Sequence, residues 1–592
     1  MLRIQTNESW ARSQVDGIPT RWRKRLLVDW QEKMSFADSI PSGRGQVTKA
    51  IQRANIELSE VVGVLTKLRL PLDASDIEIC QKAEELAVQT MDVGRLQNGR
   101  ESIAAVFGLE KVRAGMDSFV IGCGLVPPTH RLNKKGEPVI SDRGAVARMT
   151  CGDWWRRGLR KMHAKVMEGG AIKLGYVNKA RDLYVSNESL ARRQQQIKRN
   201  TKMMESTMMR NEDGQEFSLA ELASKGVGNK AIRRGELMTR IAGFEKIAVE
   251  CKHGGLFLTV TCPSRMHKWN SAGKGRVYAN DKYDGTTPRE AQQYLSKCWA
   301  RIRAKLARED CKLYGFRIAE PHHDGCPHWH VLVFHATEWK GDERRKALPR
   351  IVALFRRYLL ADSAGERGAR SHRVKAEVID WKKGSAAGYI AKYVAKNIDG
   401  LHVENDLYGN PAMETSLRVE AWASTWGIRQ FQQIGGAPVG VWRELRRIKE
   451  LPEGAPVHLL RAHIAVNKTD EQGADFGEYC MAQGGVFVGR NSLIKMETEQ
   501  TGELGRYGEV KAPRPIGVVT MGVRSVLASA LWVVKSVRKV WEVVRGLAKS
   551  APWTRVNNCT HQKEDGGVCL NFLGRLGRSK VNFQGVDNLF SL

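Results

Sequence analysis

The chain has 592 residues, 42% of them hydrophobic, and carries 95 Lys and Arg against 64 Asp and Glu, for a net charge of +31 and a pI near 9.8. The apolar content is ample for the cores of roughly two to four domains at about 150 residues each, and the charge calls for an acidic partner, nucleic acid being the obvious one, bound in a strongly salt-dependent way. Eleven cysteines, odd in number and without a Cys-x-x-Cys pair, argue against a disulfide framework and for free thiols in a reducing cytoplasm.

Residues 1–235 read as a mostly helical, basic N-terminal region. Within it Trp154-Trp155-Arg156-Arg157-Gly158-Leu159-Arg160-Lys161 is a basic aromatic segment suited either to gripping DNA or to packing. Arg192-Arg193-Gln194-Gln195-Gln196-Ile197-Lys198-Arg199 is a candidate phosphate contact, as is Arg344-Arg345-Lys346 further on, with a solvated face as the alternative for each.

Strand signals dominate residues 236–400. The fold class expected there is α+β, a central antiparallel sheet carrying helices. An apolar strand, Leu256-Phe257-Leu258-Thr259-Val260, leads to Pro263-Ser264-Arg265-Met266-His267, whose histidine reads as a surface residue at least as well as a site group. Leu313-Tyr314-Gly315-Phe316-Arg317-Ile318-Ala319-Glu320 and Pro327-His328-Trp329-His330-Val331-Leu332-Val333-Phe334 read as two strands of a hairpin around the Asp324-Gly325 turn. Alternation puts His328 and His330 on one face and Trp329 on the other. The hairpin returns Glu320 beside the histidine pair, which makes a three-ligand metal site. Mixed nitrogen and oxygen ligation suits Mn²⁺ and admits Mg²⁺, Co²⁺ or Zn²⁺, with Mg²⁺ or Mn²⁺ expected in use. His322 and His323 are alternatives for the third ligand, although turn positions suggest solvation or phosphate contact.

The Ala-rich run Gly388-Tyr389-Ile390-Ala391-Lys392-Tyr393-Val394-Ala395-Lys396-Asn397 predicts a helix with Tyr389 and Tyr393 on one face. Lys392 and Lys396 each follow a tyrosine by three residues, so each ammonium is placed for a phenol or for the phosphate it attacks. A phenol with a pKa near ~10 is a weak nucleophile at neutral pH and needs nearby positive charge. An ion on His328, His330 and Glu320 would polarise a scissile phosphate for in-line attack by tyrosine. A phosphotyrosine diester conserves the bond energy, so a free 3′ hydroxyl reverses the step without ATP, and a second tyrosine allows a second cleavage while the first is occupied. The bland alternative for the tyrosines is a buried aromatic stripe.

Beyond residue 400 a mixed C-terminal region is expected to assist DNA binding. Residues 422–442 are aromatic and punctuated by glycine. Residues 516–548 are apolar and basic; Arg524, Lys535, Arg538 and Lys539 interrupt them too often for a spanning helix, which leaves an amphipathic helix packed on a neighbour or lying on DNA. No membrane association is expected. Cys559, His561 and Cys569 lack a fourth ligand and the usual zinc spacing. Gly273-Lys274 is followed by Gly275 and no Walker motif occurs, so unwinding falls to a separate helicase.

The metal strand and tyrosine helix in this order resemble the His-hydrophobic-His ("HUH") endonucleases, and more closely the replication gene A proteins of P2-like temperate phages. The strings GELMTRIAGFEKIA from Gly235, FLTVTCPSRMH from Phe257, WGIRQFQQIGG from Trp426 and SAPWTRVNNCT near the end are similar to that family, over most of the chain from about residue 154. Cys326 departs from it at a loop position where a small polar residue such as Thr is expected. The resemblance implies rolling-circle initiation in the bacterial cytoplasm: a nick at single-stranded or supercoiled origin DNA, a covalent 5′-phosphotyrosine link at Tyr389 or Tyr393, extension of the 3′ hydroxyl by host DNA polymerase with a host helicase, and rejoining by the partner tyrosine. Two other classes compete with it. In a hydrolytic metal nuclease the tyrosines are structural, and in a non-catalytic origin-binding protein His328 and His330 are dispensable.

Overall fold

The computed structural model describes residues 2–38, 44–65, 70–97, 109–128, 139–271, 276–335, 338–339, 342–382, 384–399, 412–467, 473–525, 528–545 and 581–582. Two compact units divide the chain: Met1–Leu174 with Gly502–Ala512, and Gly175–Thr501 with Pro513–Leu547. The first unit closes at Leu174, and helices continue beyond it into the second. The sheet-bearing unit draws on residues well beyond 400.

The first unit is built from helices, among them Asp76–Gln97, Leu109–Gly122 and Gly152–Lys173. The last of these carries the basic aromatic segment, and packing accounts for much of it. Trp155 is fully buried among Leu86, Val112, Met116 and Met149 and donates its indole N–H to the Met149 carbonyl at 2.7 Å. Arg156 pairs with Asp153 at 2.5 Å and Arg160 with Asp76 at 2.7 Å, so both guanidiniums are engaged within the protein.

At the centre of the second unit lies a five-stranded antiparallel sheet. Numbered in chain order, its strands are β1 (Gly254–Val260), β2 (Tyr314–Pro321), β3 (Pro327–His335), β4 (Val374–Val378) and β5 (Phe431–Ile434), arranged β4-β1-β3-β2-β5. The helices that matter to the site are α1 (Lys230–Glu250), α2 (Pro288–Arg308), α3 (Ala347–Leu359), α4 (Ala386–Ile398) and α5 (Ala412–Trp426). Helix α2 starts where the sequence directs: Thr287 and Glu290 form a reciprocal capping box, with Pro288 at the first helical position.

Antiparallel sheets often leave one face to water; here both faces of the central strands are covered. Phe316, Ile318, Leu332 and Phe334 join the core formed with Leu237, Ile241, Phe244 and Ile247 of α1 and Ile390, Val394 and Ile398 of α4. On the opposite face Trp329 is buried and donates its indole N–H to Gln292 of α2 at 2.9 Å. The expected alternation thus holds, with a core on either side of it.

Gly315 in β2 has φ +149°, and a Cβ there would lie 2.0 Å from the Leu332 carbonyl oxygen across the strand pair. We expect Gly315→Ala to cost roughly 3 kcal/mol, from strain and forced separation of β2 from β3. Urea unfolding followed by circular dichroism checks this; an unchanged midpoint would contradict it.

Two expectations need correction. The described residues of 516–548 do not form an amphipathic helix: Arg514–Ser525 is a strand paired with Ala528–Lys535 on one side and Ile494–Glu499 on the other, and Val540–Arg545 pairs with Met208–Asn211. Buried Val518 faces buried Val534 across the pair, while Met521, Leu531 and Val533 point outward, a two-residue period suited to β-branched side chains. Arg193, read as a phosphate contact, is committed to Glu420 at 2.8 Å. The side chains of Arg344, Arg345 and Lys346 and the Cys559, His561 and Cys569 group lie outside what is described. Among the described residues no helix is long and apolar enough to cross a membrane.

Candidate active site

The β2–β3 hairpin sets the site. Glu320 and His328 are direct cross-strand partners, and His330 follows two residues on, on the same face. His328 Nε2 and His330 Nε2 are 3.0 Å apart, and the Glu320 carboxylate stands 4.0 Å from the first and 3.8 Å from the second. One ligand-capable atom from each lies within 4.8 Å of the others. Glu320 is fully buried. Burial, and then the neighbouring His330, holds the His328 imidazole well below its usual pKa, so it is neutral with a lone pair to give. Its Nδ1 is buried without a hydrogen-bond partner. Two imidazoles and a carboxylate converging in this way could hold a metal ion.

Helix α4 crosses this face. The Tyr393 ring lies over His330, centroids 4.1 Å apart, and stacks on Phe257 at 5.7 Å. Burial, and then the charge of Glu320, pushes the Tyr393 phenol up to about 12; a cation held by the three residues would reverse the sign of the local field. Tyr389 lies one turn earlier on α4 and Lys392 lies within it, but their side chains are outside the described set. The sequence places the Lys396 ammonium for a phenol or for the phosphate it attacks; in the structure it meets the Glu320 carboxylate. The ammonium is 3.2 Å from Glu320, buried, and 5.2 Å from the Tyr184 ring centroid. Asn397 donates to the same carboxylate and to the Tyr393 carbonyl, and receives a hydrogen bond from Gln430 at 3.3 Å. Neither Asn397 nor Tyr184 stood out in the sequence; for Asn397 the four-residue step from Tyr393 was the available signal.

The turn histidines are held within the fold, His322 half-buried and His323 buried. Burial pulls the His322 imidazole down to about 3. His267 is not a surface residue either: its Nδ1 is 3.1 Å from the buried Asp324 carboxylate, and its ring is 5.3 Å from that of His322. Burial alone would lower His267, but the Asp324 contact raises it, and Asp324 is correspondingly held below the usual carboxylate range. Cys326 is buried in the same turn, its N–H donating to Asp324 at 3.1 Å.

Residues 81–401 match the family described as Bacteriophage replication gene A protein (GPA), more than half of the chain. The chain belongs to the phage replication gene A protein family. Like it is the Replication gene A protein of Escherichia phage 186, 40% identical over 77% of this chain and 65% of that protein. The probable replication protein of Pseudoalteromonas phage PM2 is 32% identical over 94% of this chain and 85% of that one. A probable replication endonuclease from a prophage-like region of Salmonella typhimurium is 33% identical over 74% of this chain and 55% of that one. This gene A family chain thus spans between about half and two thirds of several curated relatives. No solved structure matches it.

Proposed function

We propose that this chain is a site-specific, single-strand DNA endonuclease that starts rolling-circle replication by tyrosine transesterification. The observation that carries this reading is the Tyr393 ring 4.1 Å from the ring of His330, beside the cluster of Glu320, His328 and His330. The family and the name of the Salmonella typhimurium relative support the nuclease class.

In the reaction the phenolic oxygen of Tyr393 or Tyr389 bonds to the scissile phosphorus as the bond from phosphorus to the 3′ oxygen breaks. The phenolic proton ends on the departing oxygen, leaving a 3′ hydroxyl primer and a 5′ phosphotyrosine. Glu320, His328 and His330 would hold a divalent ion, Mg²⁺ or Mn²⁺, which supplies Lewis-acid charge to the phosphate. Lys396 and Asn397 fix the orientation of Glu320, as outer partners of metal ligands do. Lys392 is proposed to contact phosphate. At termination the partner tyrosine attacks the regenerated origin, and the released 3′ hydroxyl attacks the first phosphotyrosine, breaking its bond to the tyrosine oxygen, which regains a proton as the circle is resealed. Host helicase and polymerase would act between the two events, in the bacterial cytoplasm.

Purified full-length protein with labelled single-stranded phage DNA fragments and Mn²⁺ is expected to give a slow-migrating adduct on a denaturing gel. Tyr389→Phe and Tyr393→Phe should each block complete cycles, and the double variant should abolish the adduct. Cleavage that persists in the double variant without any adduct would replace this reading with a water-activating nuclease.

A further inference from the structure

A second group of ligand-capable side chains lies on the same hairpin, outside the three residues assigned above. His267, His322 and Asp324 each offer an atom within 4.8 Å of the other two. They come from separate segments: His267 ends the short helical turn Ser264–Met266 after β1, and the other two sit in the β2–β3 turn. We propose that His267, His322 and Asp324 form a second divalent-cation site, taking a borderline ion such as Mn²⁺, Co²⁺ or Zn²⁺ beside the first.

Three features distinguish the group from a simple turn-stabilising ion pair. The Asp324 carboxylate is fully buried and turns both oxygens to His267, at 3.1 and 3.3 Å. One His267–Asp324 pair satisfies those two residues, yet His322 closes against them with a buried Nδ1 that has no hydrogen-bond partner. A buried imidazole nitrogen without a partner is costly unless something fills the position. The backbone holding the group is also fixed. His322 N–H donates to the Cys326 carbonyl at 2.7 Å, Gly325 N–H to the His322 carbonyl at 2.8 Å, Trp422 of α5 to the Gly325 carbonyl at 2.8 Å, and Asn280 to the His267 carbonyl at 2.7 Å. Preorganised ligands lose little freedom on binding an ion.

Two nitrogens and one carboxylate oxygen are the donor set of the first site as well, and they suit Mn²⁺. The His322 and His328 rings are 5.8 Å apart, so the two sites are neighbours on one side of the hairpin. Ions held by the two groups would both supply positive charge beside the proposed cleavage site. The proposal depends on the ligands alone and holds whether or not tyrosine is the nucleophile.

The test is a Mn²⁺ titration of chelator-stripped full-length protein, with free Mn²⁺ read by electron paramagnetic resonance. Wild type is expected to bind two ions per chain, His267→Asn/Asp324→Asn one, and His328→Ala/His330→Ala one. Retention of one ion by the first double variant also shows that it is folded; His267→Gln alone serves if that variant fails to fold. One ion in wild type, kept by the His267/Asp324 variant and lost with His328 and His330, would overturn the second site and leave the first intact. One ion lost only with His267 and Asp324 would support it and remove the first.

Discussion

His328→Ala/His330→Ala protein is expected to cleave single-stranded origin DNA at least about 10³-fold more slowly than wild type while retaining DNA affinity. Charge delivered to a phosphate by a bound ion is worth several kcal/mol in the transition state, and each ~1.4 kcal/mol is a factor of ten in rate. Affinity should hold because the net charge of +31 is spread over the chain and two imidazoles add nothing to it when neutral. The single variant His328→Ala isolates the ligand effect, because His330 also stacks on Phe257 and Tyr393 and its loss disturbs packing. Single-turnover cleavage with Mn²⁺, set against fluorescence anisotropy for binding, gives the two numbers. Equal loss of binding and cleavage would assign the histidines to DNA contact instead.

Lys396→Met is expected to destabilise the metal-free sheet-bearing unit by about 3 kcal/mol. The Lys396 and Glu320 side chains are 7% and 0% exposed and 3.2 Å apart, and removing one member of a buried pair leaves the other charge uncompensated. Asn397 remains as a donor to Glu320, which limits the loss. The sign of the metal effect follows from the same contact. Without the ammonium, a divalent ion is the main positive partner left to the carboxylate, so Mn²⁺ should raise the melting temperature of Lys396→Met more than that of wild type. Thermal unfolding with Mn²⁺ and with chelator checks this. Equal metal-induced shifts would separate Lys396 from the ligand set.

The strand with His328 and His330 and the helix with Tyr389 and Tyr393 are legible in the sequence because their information is local. A two-residue period puts His328 and His330 on one face, and the turn at Asp324-Gly325 brings Glu320 opposite His328. Partners set by tertiary contact were not legible. Nothing near His267 in sequence announces Asp324, 57 residues away, and nothing near Glu320 announces Lys396 and Asn397. Residues 431–434 complete the sheet as β5, a strand that the aromatic, glycine-punctuated composition of 422–442 does not announce. The strands of 514–545 were misread because charged residues every few positions imitate helical spacing, whereas the valines that decide the pairing alternate inward and outward.

Helix α4 is held at both ends by carboxylates. Glu245 of α1 accepts from the Ser385 hydroxyl and from the Ala386 and Ala387 N–H groups at its start, and Glu320 takes Lys396 and Asn397 at its finish. These contacts oppose any rolling or sliding of the helix. In a two-step exchange the moving part would then be the nucleic acid: the strand has to be threaded one helical turn along a stationary anvil, and the choreography of initiation and closure is written into the path of the DNA.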